Sequence, residues 1–227
     1  MNYNNNVISF KNPYYAPILQ KIKSGLSCCI TGSGGVGKTY FLNWVIDNII
    51  KPIHHDNYAV TAMTGVSSHL LHGTTFHHFT GISSWKAKQS TYIADDFISS
   101  MSEKHKEQWK KISVLLIDEA SLMDASYFTV CHNVACSLRS QYGQLYGGIQ
   151  LILSFDFYQL PPIHGQFIFH SPYWMKYMSL DNVFLMTEPI RHDKKDLDFL
   201  RLLNDVRIGR ISDFSNQLIR SRIQYRW

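Results

Sequence analysis

Apolar residues gather in four short runs, Leu26–Ile30, Tyr58–Ala62, Ile112–Ile117 and Ile149–Ser154, and each is predicted as a buried strand. The stretch Tyr40–Ile50 instead places Phe41, Leu42, Trp44, Val45, Ile46, Ile49 and Ile50 at the spacing of a helix. Asp196–Gly209 also reads as an amphipathic helix, marked by Leu197, Leu200, Leu203, Asn204 and Val206–Arg207, and it closes on a glycine, a common helix stop. Strands that alternate with helices predict an α/β fold: a parallel sheet with right-handed crossovers and helices on both faces. Residues 83–111 are polar and irregular, with the charged run Glu103-Lys104-His105-Lys106-Glu107, and are predicted as a solvated insertion and helix between the second and third strands. Residues 1–12 begin polar and Asn-rich and read as a disordered lead-in. After Gly209 the pattern fades, and no internal repeat is visible.

Composition narrows the class. The 227 residues are 45% hydrophobic and 17% charged, which suits one sizeable globular domain. No apolar run is long enough to span a bilayer and the start has no signal-peptide pattern, so no membrane association is expected. Of the four cysteines, Cys28 and Cys29 fall in the first strand, and Cys131 and Cys136 fall in a helix without sharing a face. No disulfide framework follows, and a reducing, intracellular compartment is expected. Net charge is +5, and residues 191–227 carry +4 of it, with nine Lys/Arg against five Asp/Glu. That balance is compatible with a nucleic-acid partner.

The chemistry sits where the predicted strands end. Gly32-Ser33-Gly34-Gly35-Val36-Gly37-Lys38-Thr39 fits G-x-x-x-x-G-K-[ST], between a strand and a helix as a phosphate-binding loop requires. Its glycines let successive N–H groups face phosphate oxygens, and the helix start adds partial positive charge. Lys38 is expected to reach the terminal phosphates and Thr39 to hold Mg²⁺. The third strand ends in Asp118-Glu119, expected as a Mg²⁺ ligand and a general base for an attacking water. The fourth runs into Asp156-Phe157-Tyr158-Gln159-Leu160-Pro161-Pro162. Gln159 can donate and accept, so it can sense a γ-phosphate or a water, and the prolines stiffen its loop. From spacing alone this segment also reads as an ordinary strand exit. After the second strand, Thr64, Gly65, Thr75 and His77 lie among hydroxyls, amides and aromatics that would suit a single-stranded nucleic acid. A structural loop is the alternative there.

These segments, in this order, resemble the Pif-one family (petite integration frequency type) of ATP-dependent DNA helicases, in the RecD-like group of superfamily one. The resemblance runs from about Leu26 to Gly209. It rests on the phosphate loop together with Thr75-Phe76-His77-His78-Phe79, Asp118-Glu119-Ala120-Ser121-Leu122-Met123-Asp124, Gly147-Gly148-Ile149-Gln150-Leu151 and Asp156–Pro162. It implies a RecA-like phosphate-loop domain over residues 13–190, with 191–227 a basic helical segment leading toward a second domain. It implies ATP and Mg²⁺ as cofactors, and single-stranded DNA and duplex junctions as partners, with 5′-to-3′ unwinding. It assigns nucleotide binding to Lys38 and Thr39, metal binding and hydrolysis to Asp118 and Glu119, and the γ-phosphate sensor to Gln159. Arg191 is implied as a phosphate contact, and Thr64, Thr75 and His77 as facing DNA.

Four departures stand out. Phe155 occupies a position where the family usually has Gly, and a bulky residue there is expected to reshape the loop beside the phosphates. His192 follows Arg191 where Gln is usual, and Gln20, the candidate base-reading Gln, lies at the wrong distance from the phosphate loop. The motifs of the second RecA-like domain, its arginine finger included, are not in this chain. A finger's loss costs about 10³–10⁵ in rate, so the chain by itself is expected to be a weak ATPase at best. A fragment, one piece of a split helicase and a degenerate copy are all compatible with that absence, as are a non-unwinding ATPase switch and a non-catalytic binding module. Replication, repair, recombination and telomere maintenance stay open as pathways, as do nucleus, mitochondrion and viral replication site as locations.

Overall fold

The computed structural model describes residue 10 and residues 12–89, 93–187 and 197–223. Helix α1 (Ala16–Lys23) leads into β1 (Cys28–Thr31), the phosphate loop and α2 (Lys38–Val45), which continues through a π-helical turn, Ile46–Ile50, into α3 (Lys51–His54). Next come β2 (Tyr58–Ala62), α4 (Gly65–Leu70), β3 (Thr74–Thr75), α5 (Phe76–Thr80), α6 (Ser84–Ala87), α7 (Ala94–Ser100) and α8 (Glu103–Lys111). The second half holds β4 (Val114–Asp118), α9 (Ala125–Arg139), β5 (Gln150–Phe155), α10 (Pro172–Tyr177), β6 (Val183–Leu185), α11 (Leu197–Ile208) and α12 (Asp213–Ile223).

The six strands form one parallel sheet in the order β3-β2-β4-β5-β1-β6. Both faces are covered. Cys28, Ile30, Val114, Leu116 and Ile152 pack with α1 and α2 through Ile18, Phe41 and Leu42. The alternate residues Cys29, Leu115, Ile117, Leu151 and Leu153 pack with Trp109, Phe128 and Trp174 on the other face. A strand buried on both faces has no reason to alternate in polarity, so these four were visible as unbroken apolar runs. β3 and β6 are too short and too half-exposed to have given that signal.

Residues 83–111 contain the expected helix, α8, but are not the solvated insertion expected. Their described residues fold into three helices whose Ala87, Phe97, Met101 and Trp109 enter the core. The charged run is only the outer face of α8, which Ser102 caps and whose Glu103 and Lys110/Lys111 complement the helix dipole. Trp109 donates to Thr80 O at 3.2 Å, and Arg139 donates to the last carbonyls of α8, Nη1 lying 3.1 Å from Trp109 O and 2.7 Å from Lys110 O. At the start of the chain, Phe10 is fully buried against Tyr15 and Phe41, so the fold begins within the stretch read as a lead-in. All four cysteines are buried and free.

Candidate active site at the carboxyl edge of the sheet

Strand order brings the chemistry together. β5 lies between β4 and β1, so the segments leaving these three strands emerge side by side at one edge, each strand spaced about 4.8 Å from the next. They are the phosphate loop after β1, Asp118-Glu119 at the end of β4, and the Gln159 loop after β5.

The loop is held from beneath by Val36, which is buried in the core. Gly37 caps α2 in the left-handed region, at φ 80°, where a side chain would be strained. Gly32 is needed for another reason. A Cβ there would lie 2.4 Å from the carbonyl oxygen of Met186, whose own N–H donates to Thr31 O at 2.7 Å. Lys38 curls back over its loop, Nζ donating to Gly32 O at 2.7 Å and Ser33 O at 3.2 Å. Burial lowers its pKa, while Asp156, Glu119 and Asp118 draw it back up and Arg207 opposes them. A Cβ on Gly34 would stand 3.8 Å from Gln159 Nε2, which places the Gln159 amide over the loop.

Thr39 Oγ1 donates to Asp118 Oδ2 at 3.4 Å. Asp118 is 1% exposed, and burial raises its pKa; nearby Ser154, the Glu119 N–H at 3.0 Å, Lys38 and Thr39 hold that rise in check. The Ser154 hydroxyl faces the carboxylate without meeting hydrogen-bond geometry. Glu119 adopts φ 56° and ψ 36°, a left-handed conformation that is costly for a residue with a side chain and that recurs at functional turns. Burial, then Asp118 beside it, raise its pKa, which suits a group that must take a proton.

Divalent-cation chemistry fits these residues. A hydroxyl and a desolvated carboxylate converge here as hard oxygen donors, and two protein oxygens match an ion that takes its remaining ligands from phosphates and water.

Gln159 is oriented by Asp156, which is fully buried and accepts from Gln159 Nε2 at 3.2 Å and from Tyr158 N at 3.1 Å. Asp156 is in turn gripped by Arg207 of α11, a residue the sequence marked only as part of an amphipathic helix. Burial works against ionisation of Asp156, but the Arg207 hydrogen bonds and charge outweigh it and the pKa is lowered. Phe155 does not crowd the phosphates. Its ring stacks on Phe157, centroids 4.3 Å apart, and meets Trp174 in the core, because successive residues of a strand point to opposite faces. Arg191 and His192 lie outside the described residues. Gln20 is exposed on α1.

The remaining candidates share the same edge on the β2–β3 side, where Ala62 pairs with Thr75. Thr64 and Thr75 cap α4 and α5, accepting from Ser67 N at 3.2 Å and His78 N at 3.3 Å. Gly65 opens α4 with open space where a Cβ would stand. His77 is exposed on α5 with its ring stacked on Tyr127, 5.0 Å away, and partial burial lowers its pKa. Nucleotide and nucleic-acid candidates therefore occupy neighbouring strands of one sheet.

The chain has similar relatives among known proteins. The family model described as PIF1-like helicase matches residues 15–217. The ATP-dependent DNA helicase PIF1 of Rattus norvegicus is 34% identical over 211 residues, 91% of this chain and 31% of the relative. Its namesake from Saccharomyces cerevisiae (strain YJM789) is 33% identical over 86% of this chain and 23% of the relative. Among solved structures, Pif1 helicase from Candida albicans superposes with a TM-score of 0.81 at 30% identity, over 90% of this chain and 46% of that one. Bacteroides Pif1 bound to ssDNA, at 21% identity and a TM-score of 0.72 over 91% of this chain and 48% of that one, shares the fold. The chain thus spans about half of the solved relatives and under a third of the curated ones.

Proposed function

The chain belongs to the PIF1-like helicase family, and on that premise we propose that it is the ATP-hydrolysing motor domain of a 5′-to-3′ DNA helicase. It spans only part of its relatives, so unwinding would need a second RecA-like domain, in cis or in trans. The single observation that carries the reading is the convergence of Lys38, Thr39, Asp118, Glu119 and Gln159 at the adjoining ends of three strands.

In this reading the loop amides of residues 32–39 receive the nucleotide's phosphates, and Lys38 exchanges its loop carbonyls for phosphate oxygens. Thr39 and Asp118 would hold Mg²⁺, which offsets phosphate charge as it is redistributed in the transition state. Glu119, its pKa raised, takes the proton of the attacking water, and Gln159 orients that water. Arg191 is assigned a phosphate contact on family resemblance. Single-stranded DNA, the partner in the Bacteroides relative, would run past Thr64, Gly65, Thr75 and His77, three to four strands and so about 14–19 Å from the phosphate loop. His77 presents an exposed ring backed by Tyr127, a ready surface for base stacking.

Glu119→Gln tests the reading. The variant is expected to bind ATP within about twofold of the parent and to lose general-base rate, typically about 10²–10⁴-fold. The assay is phosphate release with and without single-stranded DNA, beside binding of a fluorescent ATP analogue. Unchanged turnover in Glu119→Gln, or a parent rate indifferent to DNA, would count against the motor reading.

A further inference from the structure

Arg207 lies in the last turn of α11, remote in sequence from every nucleotide loop, yet its guanidinium ends at the tip of β5. Nε donates to Asp156 Oδ2 at 2.9 Å and Nη2 to Oδ1 at 2.8 Å, the two-point geometry of a paired guanidinium and carboxylate. The same guanidinium covers the Tyr158 ring, 4.6 Å from its centroid. The pair is sheltered, with the two side chains 20% and 1% exposed, so it is unlike the surface ion pairs that contribute little. Around it α11 packs sparsely: Val206 is 55% exposed and Ile208 39%. The ion pair ties this turn to the end of β5.

Asp156 is shared. The oxygen that accepts from Arg207 Nε also accepts from Gln159 Nε2. An amide turned over would set two oxygens against each other, so Asp156 fixes which end of Gln159 faces it. A displacement of the Gln159 amide alters the carboxylate's geometry, and with it the hold on α11.

We infer that Arg207 is a positioning residue for Gln159: it anchors Asp156, Asp156 orients the Gln159 amide over the phosphate loop, and the same carboxylate passes the presence of a γ-phosphoryl group to α11. The inference rests on the nucleotide-binding reading of the phosphate loop. Arg207 touches no reacting atom. It sets where the sensor stands and makes α11 respond to the sensor's movement.

The test uses the whole 227-residue chain with Mg²⁺ and either ADP or ADP plus aluminium fluoride, a mimic of the transferring phosphoryl group. Two quantities are read: the ratio of the two affinities, and hydrogen exchange over residues 197–208 with each ligand. The parent is expected to bind the mimic about tenfold or more tighter than ADP, as transition-state analogues do, and to show α11 exchange that differs between ligands. Arg207→Gln is expected to bind ADP as the parent does, to lose roughly three- to tenfold of the ratio, the scale of coupling between contacting residues, and to show the same α11 exchange with both ligands. Arg207→Lys should restore part of the ratio. If Arg207→Gln proves unstable, Asp156→Asn/Arg207→Gln, which removes both charges, is expected to fold and to show the same lost ratio. An unchanged ratio and exchange difference in the variant, or an equal loss of ADP and mimic as from a purely structural staple, overturns the inference. The underlying reading fails in a different way: parent and Lys38→Ala would bind ADP equally or not at all, and the inference would fall with it.

Discussion

Replacing Phe155 by the glycine usual in the family asks whether its ring serves the core or crowds the phosphates. The ring is 4% exposed, stacks on Phe157 at 4.3 Å and lies 5.9 Å from Trp174, on the core side of the sheet. Truncating a buried Phe to Ala costs about 3–5 kcal/mol through lost burial and the cavity left behind. Removing the last Cβ from a strand costs roughly a further 0.5–1 kcal/mol in backbone entropy. Phe155→Gly is therefore expected to destabilise by about 4–6 kcal/mol, a large share of the roughly 5–15 kcal/mol that holds a typical domain together. In a chain of this size each kcal/mol moves the melting temperature by about 2–4 °C, so a drop on the order of 10–20 °C follows. Phe155→Leu, which keeps most of the volume, should lose far less. Below the transition, affinity for a fluorescent ADP analogue should stay within about twofold of the parent, because the ring faces Phe157 and Trp174 and not the phosphate loop. Thermal unfolding by circular dichroism and fluorescence titration read the two quantities. A Phe155→Gly chain that melts with the parent but binds nucleotide tenfold differently would refute the placement of the ring.

Two further changes probe the phosphate loop and its carboxylate. Gly32→Ala would push a Cβ to 2.4 Å from Met186 O and should cost on the order of 1–3 kcal/mol and weaken nucleotide binding; Gly34→Ala, whose Cβ would meet Gln159 Nε2 at an ordinary 3.8 Å, is the matched control expected to fold as the parent does, with denaturant unfolding and calorimetric titration as the measurements. Asp118→Asn should stabilise the nucleotide-free chain while abolishing turnover. Burial raises the folded pKa of Asp118 above its unfolded value near about 3.9, so the folded chain binds more protons across that window, stability falls as pH climbs through it, and the deficit persists at neutral pH. Asn removes the deficit, and melting at pH 7 should rise by about 0.5–2 kcal/mol equivalent, with a flatter acid limb. Asp156, its pKa lowered, acts in the opposite sense: its contribution is present above the unfolded value and is lost as pH falls through the folded one. A melting temperature for Asp118→Asn below the parent's at pH 7 would contradict the argument.

How much of this was legible in the sequence depended on whether the cause was local. β1, β2, β4 and β5 are central or nearly so, are covered on both faces and were visible as apolar runs, displaced by no more than two residues at either end; Tyr58–Ala62 was read with its observed bounds. The helix of residues 40–50 was found, but it runs on past the π turn to His54 because the shifted register, in which Lys51 N bonds Ile46 O, accommodates Pro52. α12 falls within the 191–227 stretch expected to be basic and helical, although its exposed surface leaves little periodicity; the buried residues of 83–111 escaped notice because they are scattered over three short helices.

The site divides along the same line. The phosphate loop, Asp118-Glu119 and Gln159 could be identified because each is a short contiguous pattern whose backbone geometry is set by neighbours in sequence: Gly37 at a helix start, Glu119 in a strained turn directly after a strand. Arg207 could not be identified that way. Its partner lies 51 residues earlier in the chain, and an Arg near a helix C-terminus reads as dipole complementation. Only the crossover order of the sheet, with β5 set beside β1, brings the end of β5 to where α11 can reach it. A sequence pattern thus locates groups that meet the nucleotide, whereas groups that transmit the state of the site to the rest of the molecule are defined by packing between distant elements. Disabling Asp156–Arg207 should accordingly separate nucleotide binding from its structural consequence, a separation that no change within the phosphate loop can produce.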